Sequence, residues 1–200
     1  LLMSPRPHAM RSAPRDLAGF PELFRLAALP SDARVTVVRT GGLGDTILIL
    51  PTLAILRAAY PAGHFTLVGS TWAEALQPLL PFPARVLHVD HAFPAAYRDG
   101  AESGSDRSTV SASQAIIVYT SAPEGDFVAH VRRVCSGSVL AWPVTPPDGV
   151  HAARHLARAV VDVPDDPDGL PLPTLECPPD SRPSGRDWLD RRLGPGIRPL

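Results

Sequence analysis

Gly41, Gly42, Gly44 and Asp45 lie between a β-branched run and a long apolar run in VVRTGGLGDTILILP, Val37 to Pro51. A glycine cluster lets a backbone come close to something, because glycine lacks a Cβ and tolerates φ > 0. A carboxylate behind such a cluster has two possible uses. As an N-cap it stabilises a helix by about 1 kcal/mol. As a general base it takes a proton from a substrate hydroxyl. The residues alone leave both open.

Ligand chemistries for the loop can be weighed by spacing. A dinucleotide fingerprint needs G-x-G-x-x-G and an acidic residue after the second strand. Gly42 and Gly44 supply the first two glycines, but Ile47 occupies the third position and HFTLVGS ends in Gly69-Ser70. A P-loop needs a lysine, and all 19 basic residues are arginine. A plain turn with Asp45 as N-cap needs no ligand.

Other chemistry-bearing residues have weaker patterns. His64, His88 and His91 lack HxH or HExxH spacing and read as core or surface histidines. His151 and His155 stand four apart on one predicted helix, a spacing that can bind a metal, but no third ligand is evident. Metal ligands are therefore assigned to none. Arg132-Arg133 and Arg154/Arg158 could meet phosphates, although a solvated helix face is the safer reading. Trp72 and Trp142 read as packing residues. Cys135 and Cys177 are far apart without CxxC spacing, which points to a reducing compartment.

These residues need a scaffold, and the alternation of segments supplies one. Strands are expected at 34–40, 64–70, 85–90, 114–120 and 137–142. Helices are expected at 46–61, 71–80, 124–135 and 149–161. The repeat β-α-β-α-β with short links predicts an α/β, Rossmann-like parallel sheet covered by helices, with RVTVVRT central. Pro51 falls inside the expected helix 46–61, at a cost of about 3 kcal/mol if uncompensated. Residues 91–113 are rich in Ser, Gly, Asp and Arg and read as a mobile loop. The expected organisation is 1–30 as a leader with a short helix over 16–29, 31–162 as the sheet domain, 163–183 as a Pro-rich linker, and 184–200 as the start of a second domain.

Composition limits the classes. The chain has 200 residues, 44% hydrophobic and 20% charged, with a net charge of −1. That balance gives no general affinity for nucleic acid. No apolar run reaches the roughly 18 residues of a membrane span. Residues 1–15 lack the apolar core of a secretory signal. A cytoplasmic location is expected.

Residues 35–70 closely resemble the N-terminal segment of glycosyltransferase family 9, the ADP-heptose:lipopolysaccharide heptosyltransferases. The resemblance rests on Gly44-Asp45, then Leu50-Pro51, then Tyr60-Pro61 before the second strand, in that order. It continues weakly to VHAARHLARAV. It implies the N-terminal, acceptor domain of a GT-B enzyme, two Rossmann-like domains facing across a cleft. It further implies inverting, metal-independent transfer without a cofactor, from a nucleotide-sugar donor to a glycan or lipid-linked acceptor. ADP-heptose is the leading candidate for the donor and the lipopolysaccharide core for the acceptor. Asp45 takes the position of the family's base, and Thr40, Gly41, Gly42 and Gly44 would line the acceptor's approach. The family leaves room for a peripheral contact with the inner face of the membrane. The donor domain is expected beyond Leu200, and the alternative is a truncated, catalytically inactive acceptor-binding remnant.

Overall fold

The computed structural model describes residues 29–80, 82–94, 110–161, 163 and 170. Five strands form its centre: β1 Arg34–Val38, β2 His64–Gly69, β3 Arg85–His88, β4 Ala115–Thr120 and β5 Ser138–Pro143. Their order is β3-β2-β1-β4-β5, and every neighbouring pair is parallel. The expected α/β class and the central position of RVTVVRT are both found.

β1 is buried from Val35 to Val38 because both faces of the sheet are covered. Val35 and Val37 face one apolar cluster with Leu53, Leu56, Leu67, Ile117 and Leu156. Val38 faces the other with Val68, Ile116, Val118, Val128 and Val131. A continuous apolar run, rather than alternation, is what a strand buried on both faces needs. Each such Val or Leu contributes about 1.5–3 kcal/mol on burial. The one polar residue of the run, Thr36, is fully buried and shares a 2.7 Å hydrogen bond with the Ser113 hydroxyl. That pairing removes the penalty of an unsatisfied hydroxyl in the core.

The helices are α1 Leu43–Leu48, α2 Leu50–Ala59, α3 Thr71–Leu76, α4 Val89–Ala92, α5 Asp126–Val134 and α6 Ala152–Ala157. A 3₁₀ turn, Gln77–Leu79, follows α3. The helix expected over 46–61 is two helices that meet at Ile49. α1 begins earlier than expected, and Pro51 lies in the first turn of α2. An N–H at that position has no intrahelical acceptor in any case, so proline is tolerated and the expected cost does not arise.

The third strand stops at His88 rather than running to Asp90. The His88 imidazole accepts from the Asp90 N–H at 3.3 Å and starts α4. Most of the segment expected to be a mobile loop lies outside the described residues. Its described ends are held: Phe93 and Val110 are each 1% exposed. The leader helix at 16–29, the linker at 163–183 and the helix at 184–194 fall outside the described residues, apart from Leu29, Val163 and Leu170.

Candidate active site

β1 ends at Val38, and the chain turns at the carboxyl edge of the sheet into α1. Arg39 is the first residue past the strand. Its backbone N–H still bonds Val68 O at 2.8 Å, which fixes where its side chain starts. The guanidinium donates through Nη2 to Asp45 Oδ1. The Arg39 side chain is 13% exposed and that of Asp45 37%, so the pair lies at the edge of the core with its acidic end toward solvent.

Asp45 is not the N-cap. That position belongs to Gly42, and Asp45 is the third residue of α1. Its Oδ2 accepts from the Gly42 N–H at 2.8 Å. This is the reach-back half of a capping box, satisfying a donor the helix itself cannot use. Both carboxylate oxygens are thus engaged, one by a guanidinium and one by an amide. A carboxylate has about four lone-pair sites, so acceptor capacity remains on the solvent side.

The glycines serve this arrangement. A Cβ on Gly41 would lie 2.2 Å from Asp45 Oδ2. What approaches the Gly41 backbone is therefore the protein's own carboxylate. No special backbone conformation is involved: among the described glycines only Gly149 has positive φ. Gly44 has open space around its Cβ position. The turn is tied down by Ser70, whose hydroxyl donates to Gly41 O at 2.9 Å, and by Thr46, whose hydroxyl donates to Gly42 O at 3.1 Å.

Between the carboxyl ends of β1 and β4 lies a concavity of about 160 Å³. Arg39, Thr40, Gly41, Tyr119, Thr120 and Ser121 are among its walls. β1 and β4 are the strands from which the sheet grows in opposite directions, the crevice where open α/β sheets take ligands. Of the residues singled out in the sequence, Thr40 and Gly41 line this crevice. Gly42, Gly44 and Asp45 are not among its walls; they lie at the N-cap and first turn of α1.

Arg39 and Tyr119 were not found by sequence reasoning. Arg39 carried a signal in its place directly behind the first strand. Its Nε is buried with no hydrogen-bond partner among the described residues. Tyr119 donates to Leu156 O at 2.8 Å and so braces β4 against α6. Burial pushes its hydroxyl well above the usual tyrosine range, opposed by its contact with Thr52 and the nearby Arg39 charge. It therefore stays protonated and serves as a strut.

The remaining candidates have structural duties. His151 caps α6, its Nδ1 accepting from the Ala153 N–H at 3.3 Å. His155 is 6% exposed and its Nε2 pairs with Pro143 O at 2.7 Å. Trp142 donates to His155 O at 3.1 Å, which supports its reading as a packing residue. Arg132 faces Glu124 at 3.5 Å on an exposed helix side. Arg158 turns back to Val163 O at 3.5 Å. Trp72 departs from expectation: it is 51% exposed. Among the described residues no three His, Cys, Asp or Glu side chains group as metal ligands. None of the described helices is long and apolar enough to cross a membrane.

Neither a protein-family model nor a curated protein sequence matches the chain. Solved structures do. A glycosyl transferase family 9 structure from Veillonella parvula matches with a TM-score of 0.56 at 18% identity, covering 86% of this chain and 52% of that one. An ADP-heptose lps heptosyltransferase II structure from E. coli matches with a TM-score of 0.50 at 12% identity, covering 80% and 50%. The chain spans about half the length of these structures. Over that span it has the fold of family 9 and heptosyltransferase structures, with the Arg39–Asp45 pair at the carboxyl edge of its central strand.

Proposed function

We propose that this chain is the acceptor-binding half of a glycosyltransferase of the heptosyltransferase type. The observation that carries the reading is the Asp45 carboxylate. It stands beside the central crevice, fixed by Arg39 and the Gly42 N–H, with its outer edge in solvent. The fold likeness supports the same class.

In the proposed reaction an acceptor hydroxyl attacks the anomeric carbon of a nucleotide sugar, with ADP-heptose as the leading donor. The new C–O bond forms on one face. The bond to the phosphate oxygen breaks on the other, and its electron pair leaves with the nucleoside diphosphate. The hydroxyl proton passes to Asp45. A carboxylate is a weak base toward a resting alcohol, but the proton becomes acidic as the oxygen bonds to carbon, so a late transfer suffices. Arg39 holds one oxygen and the amide the other. The carboxylate is thus already oriented, and little geometry has to be found in the transition state. Thr40 and Gly41 form the crevice wall along which the acceptor reaches it, with Gly42 and Gly44 leaving room on the helix side. The acceptor is a saccharide, the lipopolysaccharide core on the resemblance. The site belongs to the cytoplasmic side, with room for contact with the inner membrane face. The residues after 163 would link to the donor-binding half.

The engaged oxygens favour one rival: Asp45 as a purely structural partner of Arg39. Asp45→Asn separates the two. Asparagine keeps one acceptor oxygen, for Gly42 or for Arg39, but it cannot take the proton, and an unchanged melting temperature marks the structural role as intact. In the complete enzyme, transfer from ADP-heptose to deacylated lipopolysaccharide core should fall about 10²–10⁴-fold, with circular dichroism unchanged. Near-full transfer in the variant would leave Asp45 only its structural role.

A further inference from the structure

We infer that Trp72 is the stacking platform of the acceptor subsite, receiving the apolar C–H face of a saccharide ring whose hydroxyl reaches toward Asp45. The inference rests on the transfer reading above and names a residue that reading does not use. Among the described residues three large apolar side chains are exposed: Leu43 at 40%, Ile47 at 41% and Trp72 at 51%. Scattered single exposures need no explanation. These are not scattered, because all three lie on α1 and α3, which pack side by side.

The link to Asp45 is short and passes through one hydrogen bond. Trp72 comes two residues after Ser70, whose hydroxyl holds Gly41 O at 2.9 Å. The Asp45 carboxylate rests on that same Gly41. An indole face and a part-exposed carboxylate are therefore anchored to one residue at the mouth of the crevice. The indole offers a broad, rigid apolar face. The carboxylate offers lone pairs to hydroxyls. A sugar ring presents both complements, one face of C–H bonds and a rim of hydroxyls.

Charge argues for this occupant over an anionic bilayer. The charged residues of α1 and α3 are Asp45 and Glu74, both acidic, and neither helix carries a basic residue. Attraction to anionic lipid depends on Lys and Arg near the surface. A second copy of the chain is also a poor fit, because three half-exposed side chains fall far below the roughly 1,000 Å² of a specific interface.

The test is binding, independent of transfer. The full chain is titrated calorimetrically with the deacylated inner-core oligosaccharide of lipopolysaccharide. Trp72→Ala should weaken binding about tenfold or more, and Trp72→Phe should return it to within about threefold, because the phenyl ring keeps an apolar face. Melting temperatures of both should match the parent, since the side chain is half in water. Flotation with phosphatidylglycerol/phosphatidylethanolamine vesicles and sedimentation velocity run in parallel. The inference is overturned if the parent does not bind the oligosaccharide or if Trp72→Ala binds as well as the parent. It is equally overturned if Trp72→Ala instead abolishes vesicle flotation or a concentration-dependent dimer. The two readings fail separately. Asp45→Asn that keeps full transfer removes the catalytic reading while oligosaccharide binding still tests the platform. Intact loss of transfer in Asp45→Asn with unchanged binding in Trp72→Ala removes the platform alone.

Discussion

Two places in this molecule bring together side chains that could do chemistry, and they use them differently. At the carboxyl edge of β1, Arg39 and Asp45 meet over Gly41, and the carboxylate keeps an exposed flank. At the end of β5, His151, His155 and Trp142 meet over α6. There one polar atom of each is engaged by backbone: His151 Nδ1 by the Ala153 N–H, His155 Nε2 by Pro143 O, and the Trp142 N–H by His155 O. A side chain whose hydrogen bonds all end in main chain is a tether. A side chain held from behind and open in front can meet a substrate. Residue type does not tell the two apart, since histidine is the commoner general base. What remains unpaired after folding does.

The largest expected effect breaks the comparison at its first member. Gly41→Ala puts a Cβ where the Asp45 carboxylate lies, so the carboxylate must move. A misplacement near 1 Å costs about 10²-fold in rate, read as lost transfer by the complete enzyme with near-normal secondary structure. If transfer survives, the carboxylate's position on Gly41 is irrelevant to the reaction.

The matching lesion at the second place is His155→Ala. It leaves Pro143 O without its partner in a nearly closed site and opens a gap beside Trp142, a loss of about 2 kcal/mol. It should appear in urea melts, with transfer per folded molecule unchanged. A drop in transfer without lost stability would turn the tether into a participant.

Tyr119 sharpens the boundary between the two. Its raised pKa means that the folded state holds the phenolic proton more tightly than the unfolded chain does. Stability is therefore undiminished below about pH 10, the unfolded value. It falls as pH rises beyond, by about 1.4 kcal/mol per unit until the folded value is reached. Tyr119→Phe should flatten that alkaline slope while losing about 1 kcal/mol at neutral pH from the Leu156 bond. Melts between pH 8 and 11, in steps of about half a unit, test it against the ordinary tyrosine value.

The smallest effect belongs to the cap of α6. His151→Ala should cost about 0.5–1 kcal/mol and His151→Asn nearly nothing, because asparagine is a strong N-cap. Equal losses in both variants would show that the imidazole does more than cap.

By itself the sequence determined the five strands and their alternation with helices. β-branched runs such as Val35–Val38 and Ile116–Val118 have few other ways to bury both faces, and short links leave little choice of neighbour. It also marked the turn that matters, because glycines and an aspartate between strand and helix are legible as types. Local chemistry was harder to read. Whether a proline breaks a helix or starts one depends on where the previous helix ends, and that is settled by how α1 and α2 pack on the sheet. The role of Asp45 as the third helical residue rather than the cap is a shift of three positions, more than the one or two residues by which helix ends are ordinarily ambiguous. Only the tertiary structure joined Arg39 to Asp45 over Gly41, closed His155 onto Pro143, and left Trp72 in water rather than in the core. Each of these outcomes depends on which groups are neighbours once the sheet has formed. A hydrogen bond or ion pair depends on distance in space, which residue type and chain spacing do not specify.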